Sequence, residues 1–269
     1  MITDKKKYGT TKNFIESKLA NGLVSFSHSE LMDSVGLSSI AAYWQIRRQK
    51  DYVIKITSRQ PFYLIVQPEH RIIGAPPVEW WIDDYFVWLG QKYYIALQSA
   101  ASIFGSSQQA IQETQIITAM KLRDIVVGKI RLRFFTKSIA SESLTQQVHG
   151  SYAPLVVSTA ATTVFDLIKY STAIGGIERA AETIDPILDK IKPEELKLTL
   201  QTESNIAISQ RLGFLLENLG CSRLSNVVEE WLPQRLEFVP LSTYLNAAKD
   251  GKINKKWNVI DNSGGFEWA

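Results

Sequence analysis

Residues 36–50, GLSSIAAYWQIRRQK, decide how the rest of the chain is read. Gly36 ends whatever precedes it, and Ser38 or Ser39 can cap a helix behind it. On that helix Leu37, Ile40, Ala41 and Trp44 share one face, expected to point inward. Ser39, Tyr43, Arg47 and Lys50 share another, spaced by three and four residues. Such a helix can rest on its own domain and still enter a major groove. Arginine there reads guanine bidentately, whereas lysine and serine more often hold phosphate.

Working outward, Lys12 to Leu23 has Phe14, Ile15, Leu19 and Leu23 near helical spacing, with Asn21-Gly22 as a stop. Ser27 followed by Glu30 reads as a capping box for a second helix. After Lys50 come two alternating runs, Tyr52 to Thr57 and Phe62 to Val66, around the turn Ser58-Arg59-Gln60-Pro61. Helices followed by a hairpin outline a winged helix-turn-helix, and residues 1–75 are expected to form that DNA-binding domain. Base contacts are assigned to Ser39, Tyr43 and Arg47, and phosphate contacts to Ser38, Arg48, Lys50 and Arg59 at the hairpin tip. Tyr43 fits a core position equally well, and Asp51 opposes phosphate if it points the way Lys50 does.

Charge is uneven along the chain. Residues 1–75 hold eleven Lys or Arg against six Asp or Glu, a net +5; with +3 for the whole chain, the remainder is −2. A basic head on a slightly acidic body suits a polyanion contact made by the head alone. At 269 residues there is room for two domains, and 45% hydrophobic with 21% charged residues is ordinary for a soluble globular protein. No apolar run approaches the roughly 18 residues of a membrane span. The first residues, MITDKKKYGTTK, lack the apolar core of a secretory signal. The single cysteine, Cys221, excludes an intramolecular disulfide and is compatible with a reducing cytoplasm.

Gln67 to Pro77 reads as a linker, and residues 76–269 as a second domain. Its expected elements begin with helices at Val78 to Leu89 and Lys92 to Phe104. Strands follow at Ile111 to Thr118, Asp124 to Val127, Ile130 to Phe135, near Val148, and at Leu155 to Ser158. Helices return at Ala161 to Tyr170, Gly176 to Leu188, Pro193 to Gln201, Asn205 to Leu219 and Ser225 to Trp231. After Asp250 the tail is polar, with Trp257 the residue expected to dock. The fold class is therefore α+β.

The sequence carries no convincing catalytic motif. His28, His70 and His149 are not spaced as metal ligands, and neither a P-loop, a dinucleotide fingerprint nor a nucleophile elbow is present. Gly105-Ser106 resembles the start of a nucleotidyltransferase loop, but only Glu113 follows where a pair of carboxylates must hold Mg²⁺. Asp83-Asp84 reads as a solvated helix edge, and Lys137 with Glu142 makes no convincing nuclease arrangement. No catalytic residue, metal or cofactor is expected.

Five stretches, in order, resemble the AbiEi antitoxins of bacterial type IV toxin–antitoxin (abortive-infection) systems. They are YYIALQSAASIFGSSQQAIQETQIIT (93–118), LRDIVVGKIRLRFF (122–135), LVVSTAATTVFDLIKYSTAIGGIERAAETI (155–184), RLGFLLENLG (211–220) and WNVIDN (257–262). Phe104 departs from the histidine many relatives carry before the glycine. The resemblance implies a repressor binding inverted repeats in its own promoter, and an antitoxin opposing a nucleotidyltransferase-like toxin without a stable complex. Ser158-Thr159 and Asp166 fall where the family puts them, and each has a structural role available: a helix cap, and a partner for a buried donor. Arg211 is expected to face solvent or an acid. Two other readings stay open. The basic head can dock an acidic protein instead of DNA, or the chain can be a degenerate nucleic-acid-processing enzyme.

Overall fold

The computed structural model describes residues 9–106, 113–149, 154–243 and 251–263. The first turn of the head is helix α1 (Thr11–Ala20), capped by Thr10, then strand β1 (Ser25–Ser27). Ser27 makes the full capping box with Glu30 at the start of α2 (His28–Val35), as its sequence predicts. Gly36, at φ 77°, ends α2 in the left-handed conformation that favours glycine, and Ser38 caps α3 (Ser39–Arg48). Strands β2 (Val53–Lys55) and β3 (Phe62–Ile65) form the hairpin, and β3 pairs antiparallel with both β1 and β2. Phe14, Ile15, Phe26, Leu31, Ala42 and Ile46 are among the side chains that fill the core of this head.

Beyond it, residues 67–77 are not a loose tether. The Gly74 backbone lies so close to Gly128 that a Cβ on Gly128 would sit 2.3 Å from the Ile73 carbonyl oxygen, and the Lys129 amide donates to that oxygen at 2.7 Å. The expected aromatic helix breaks at Trp81, leaving a 3₁₀ turn (Val78–Trp80) and α4 (Ile82–Leu89). The expected helix from Lys92 is instead strand β4 (Tyr93–Ile95) and the short helix α5 (Leu97–Ile103). Tyr93, Tyr94 and Ile95 are all buried, and aromatic and β-branched residues covered on both sides belong in a central strand.

Strands β5 (Thr114–Thr118), β6 (Ile125–Val127), β7 (Ile130–Thr136), β8 (Thr145–His149) and β9 (Pro154–Ser158) complete a six-stranded mixed sheet in the order β6-β7-β5-β4-β9-β8. The expected start of β5 at Ile111 lies outside the described residues. Alternation along the strands sorts the side chains into two layers. Tyr94, Ile117 and Phe135 face a helical block made of α6 (Ala160–Lys169), α7 (Ile177–Ile184), α8 (Pro193–Glu203), α9 (Ile206–Asn218) and α10 (Ser222–Trp231). Tyr93, Ile95 and Ile116 face Trp81, Tyr85 and Phe86 around α4, and the head adds Val24, Ile56, Phe62 and Leu64 to that same core. One apolar cluster therefore runs across residue 75.

The tail is not merely polar. Residues Val239–Pro240 (β10), Lys252–Asn254 (β11) and Val259–Asp261 (β12) make a small sheet. Trp257 docks as expected: it is fully buried against Gly213 of α9, where a Cβ would lie 2.1 Å from the indole ring.

Candidate nucleic-acid interface

Helix α3 faces inward through Ala42 and Ile46, not through the larger apolar residues. Ile40 is 74% exposed and Trp44 52%, which overturns their expected inward place, whereas Leu37 does pack against the head core; Tyr43, at 49%, is not a core residue. The outward stripe is thus Ile40, Tyr43, Trp44 and Arg47, at helical spacings of three and four. The Arg47 guanidinium lies over the Trp44 ring, 5.6 Å from its centroid, and donates to the Tyr43 hydroxyl at 3.3 Å. An arginine held over one aromatic ring and by the hydroxyl of another loses less rotamer freedom when it meets a partner.

Ser38 accepts from the Ala41 amide at 3.3 Å as the cap, which leaves its hydroxyl hydrogen free to donate outward. Ser39 shares a hydrogen bond of 3.2 Å with His28 Nε2, tying α3 to α2. Arg48 and Lys50 are exposed at the far end of the helix, with Asp51 exposed beside them. Arg59 is exposed at the hairpin tip. Among the described residues none of Arg47, Arg48, Lys50 and Arg59 is held in an ion pair.

The positive surface does not stop at the head. Arg59 shares a cleft of about 370 Å³ with Lys121 and Arg123, residues of the loop before β6. Residues 121–133, KLRDIVVGKIRLR, carry five cations and one acid. Charge totals for the whole body hid this hairpin, although its run of alternating cations was visible in the sequence. Asp83 is exposed, as expected of a solvated edge, and Asp84 is half-buried, but both also accept hydrogen bonds. The Tyr93 hydroxyl donates to Asp83, and the Ser25 hydroxyl donates to Asp84 at 2.6 Å, pinning head to body.

A second cluster lies inside the body. Lys137 is fully buried between Asp166, 2.7 Å away, and Glu203, with the Tyr94 hydroxyl 3.1 Å from its Nζ. Tyr94 donates to the other Asp166 oxygen at 2.8 Å, and Ser143 donates to Glu203 at 3.0 Å. Burial pushes the Asp166 carboxyl above its ordinary range, a shift that Lys137 offsets in part and Glu203 reinforces. The same burial pushes the Tyr94 hydroxyl up. Asp166 thus does hold a buried donor, while Thr159, not Ser158, caps α6. Arg211 is buried and meets no acid among the described residues: its Nε donates to the Pro240 carbonyl at 2.8 Å. Among the described residues no group of three His, Cys, Asp or Glu could hold a metal ion.

Residues 94–218, which include Tyr94, Lys137, Asp166 and Glu203, match the family described as the AbiEi antitoxin C-terminal domain. This segment is an AbiEi antitoxin domain. The sequence resemblance drawn from residues 93–262 is therefore matched over its first three blocks from Tyr94 on and most of the fourth, and not over residues 257–262. Among solved structures, the crystal structure of RV2827C protein from Mycobacterium tuberculosis is similar to the chain with a TM-score of 0.65 at 12% identity. That similarity covers 96% of this chain and 93% of that one, and at such low identity it speaks for the fold alone. None of the functionally described proteins compared with the chain matches it. Among the described residues no helix is long and apolar enough to cross a membrane.

Proposed function

We propose that the chain is a DNA-binding repressor of its own operon and the antitoxin of a type IV toxin–antitoxin system, with no catalytic role of its own. The observation that carries the DNA half is the combination on α3 and the β2–β3 tip: an exposed helix face ending in cations that no acid among the described residues pairs with. The order of three helices, an early strand and a hairpin fits a winged helix-turn-helix, with α3 in the major groove and the hairpin beside it. Arg47, Tyr43 and Ser39 then meet base edges, and Ser38, Arg48, Lys50 and Arg59 meet backbone phosphates. Lys121 and Arg123 support the reading by extending the positive surface next to Arg59. The antitoxin half rests on the AbiEi domain. Its partner in this reading is a nucleotidyltransferase-like toxin encoded nearby, opposed without a stable complex in the cytoplasm.

A gel shift on the duplex upstream of the gene tests the repressor reading. Wild type is expected to prefer that duplex over a scrambled one. Arg47→Ala combined with Arg48→Ala is expected to weaken binding by about 1–3 kcal/mol for each well-formed hydrogen-bonded pair it removes. A double variant that binds like wild type removes α3 from the account. No preference over scrambled duplex leaves the head as a module for an acidic protein.

A further inference from the structure

The stripe on α3 holds more apolar surface than a phosphate-binding helix requires. Ile40 is the most exposed of its apolar residues, at 74%, and it sits in the first turn behind the Ser38 cap. Tyr43 and Trp44 follow, their rings edge to face at 5.4 Å, and Arg47 is folded over Trp44 at the end. A helix lying in a major groove meets base edges through the residues of one face over successive turns, and Ile40, Trp44 and Arg47 follow one another along such a face. Of the groups displayed there only the thymine C5-methyl is apolar, whereas guanine offers the two acceptors that suit an arginine fork. The cations that can hold phosphate, Arg48, Lys50 and Arg59, lie at the other end of the helix and on the hairpin tip.

Resting on the repressor reading above, we infer that Ile40 and Trp44 read thymine methyl groups, beside one guanine read by Arg47. The preferred half-site then carries thymines on the side of the guanine that Ile40 covers. Exposed isoleucine and tryptophan on the head are thereby explained as a surface dry only when DNA is bound.

The test uses the full-length chain and a random duplex pool. Preferred duplexes are selected, then resynthesised with deoxyuridine replacing thymidine one position at a time, which removes a methyl and leaves every hydrogen-bonding group in place. Wild type is expected to bind about fourfold more weakly for each contacted methyl removed. Ile40→Ala should lose the preference for thymine at one position and Trp44→Ala at another. Equal binding of thymine and uracil duplexes by wild type overturns this inference and leaves the repressor reading standing. Variants that keep the full preference overturn it too. So does sedimentation showing that Ile40→Ala dissociates a dimer of the free chain, because the patch is then an interface between copies. A pool with no preferred duplex removes the repressor reading together with it.

Discussion

Lys137 is the residue whose role sequence reading missed most completely. Taken in isolation it sits in a strand-to-turn stretch and makes no motif, and its partners lie 29 and 66 residues downstream. Only the topology that stacks α6 and α8 over the sheet brings the three together, with nothing in local spacing to announce it. Asp166 was legible as a carboxylate that would meet a buried donor, because it falls in a helix between Val164-Phe165 and Leu167-Ile168. Removing the central cation strands two buried acids, so Lys137→Met should destabilise the chain by about 3–5 kcal/mol. Asp166→Asn should cost less, since it keeps an oxygen for Tyr94 or Lys137 and leaves Lys137 and Glu203 as a one-to-one pair. The sign of the pH dependence follows from the raised Asp166 carboxyl. A carboxyl held above its unfolded value contributes stability fully below the ordinary carboxylate range, and that contribution is lost as pH rises through the raised value. Wild type should therefore lose stability relative to Asp166→Asn as pH rises across that window. Urea unfolding of both proteins over a pH series measures it, and parallel curves would mean Asp166 titrates alike in the folded and unfolded chain.

At the scale of the element, α3 shows what patterning reveals and where it misleads. Its existence and cap were legible, because a glycine, a pair of serines and ten residues without a breaker leave little choice. Its orientation was not. Two stripes compete, Leu37, Ile40, Ala41 and Trp44 against Ala42 and Ile46, and the first carries far more apolar surface. Burial went to the smaller stripe, where Ala42 and Ile46 join Phe14, Leu31 and Val53. In the proposed reading that face serves a partner, and such surfaces break the rule that apolar means inside. Strand β4 was misread for a related reason: a buried central strand and a buried helix segment look alike over a few residues. The orientation of α3 makes an unequal pair of predictions. Ile46→Ala should destabilise the protein by about 2–5 kcal/mol, while Ile40→Ser should change stability by no more than about 0.5 kcal/mol. Denaturant midpoints decide the matter, and a large loss from Ile40→Ser would put the outward face elsewhere.

For the molecule as a whole, the question is whether the head and the AbiEi domain move independently. Three kinds of contact bind them. Val24, Ile56, Phe62 and Leu64 of the head share a core with Trp81 and Tyr85; Ser25 donates to Asp84, and the Tyr85 hydroxyl donates to Gln60 at 3.0 Å. Gly74 and Gly128 bring the connecting segment onto the β6–β7 turn, a position where side chains of any size would force the backbones apart. The proline and glycine content of residues 67–77 is consistent with either a tether or a fixed turn, and only the packing distinguishes them. If the shared core governs stability, β3 and β5 open together. Amides of both strands should then exchange with deuterium at one common free energy, and Leu64→Ala should lower both by the same amount, about 2–5 kcal/mol. Independent units would respond differently: β3 amides would lose protection while those of β5 kept theirs. A common response would also mean that any event docking on the head, a duplex included, is felt at Trp81 and the sheet behind it. The two proposed activities would then share one folding unit, even though separate surfaces carry them.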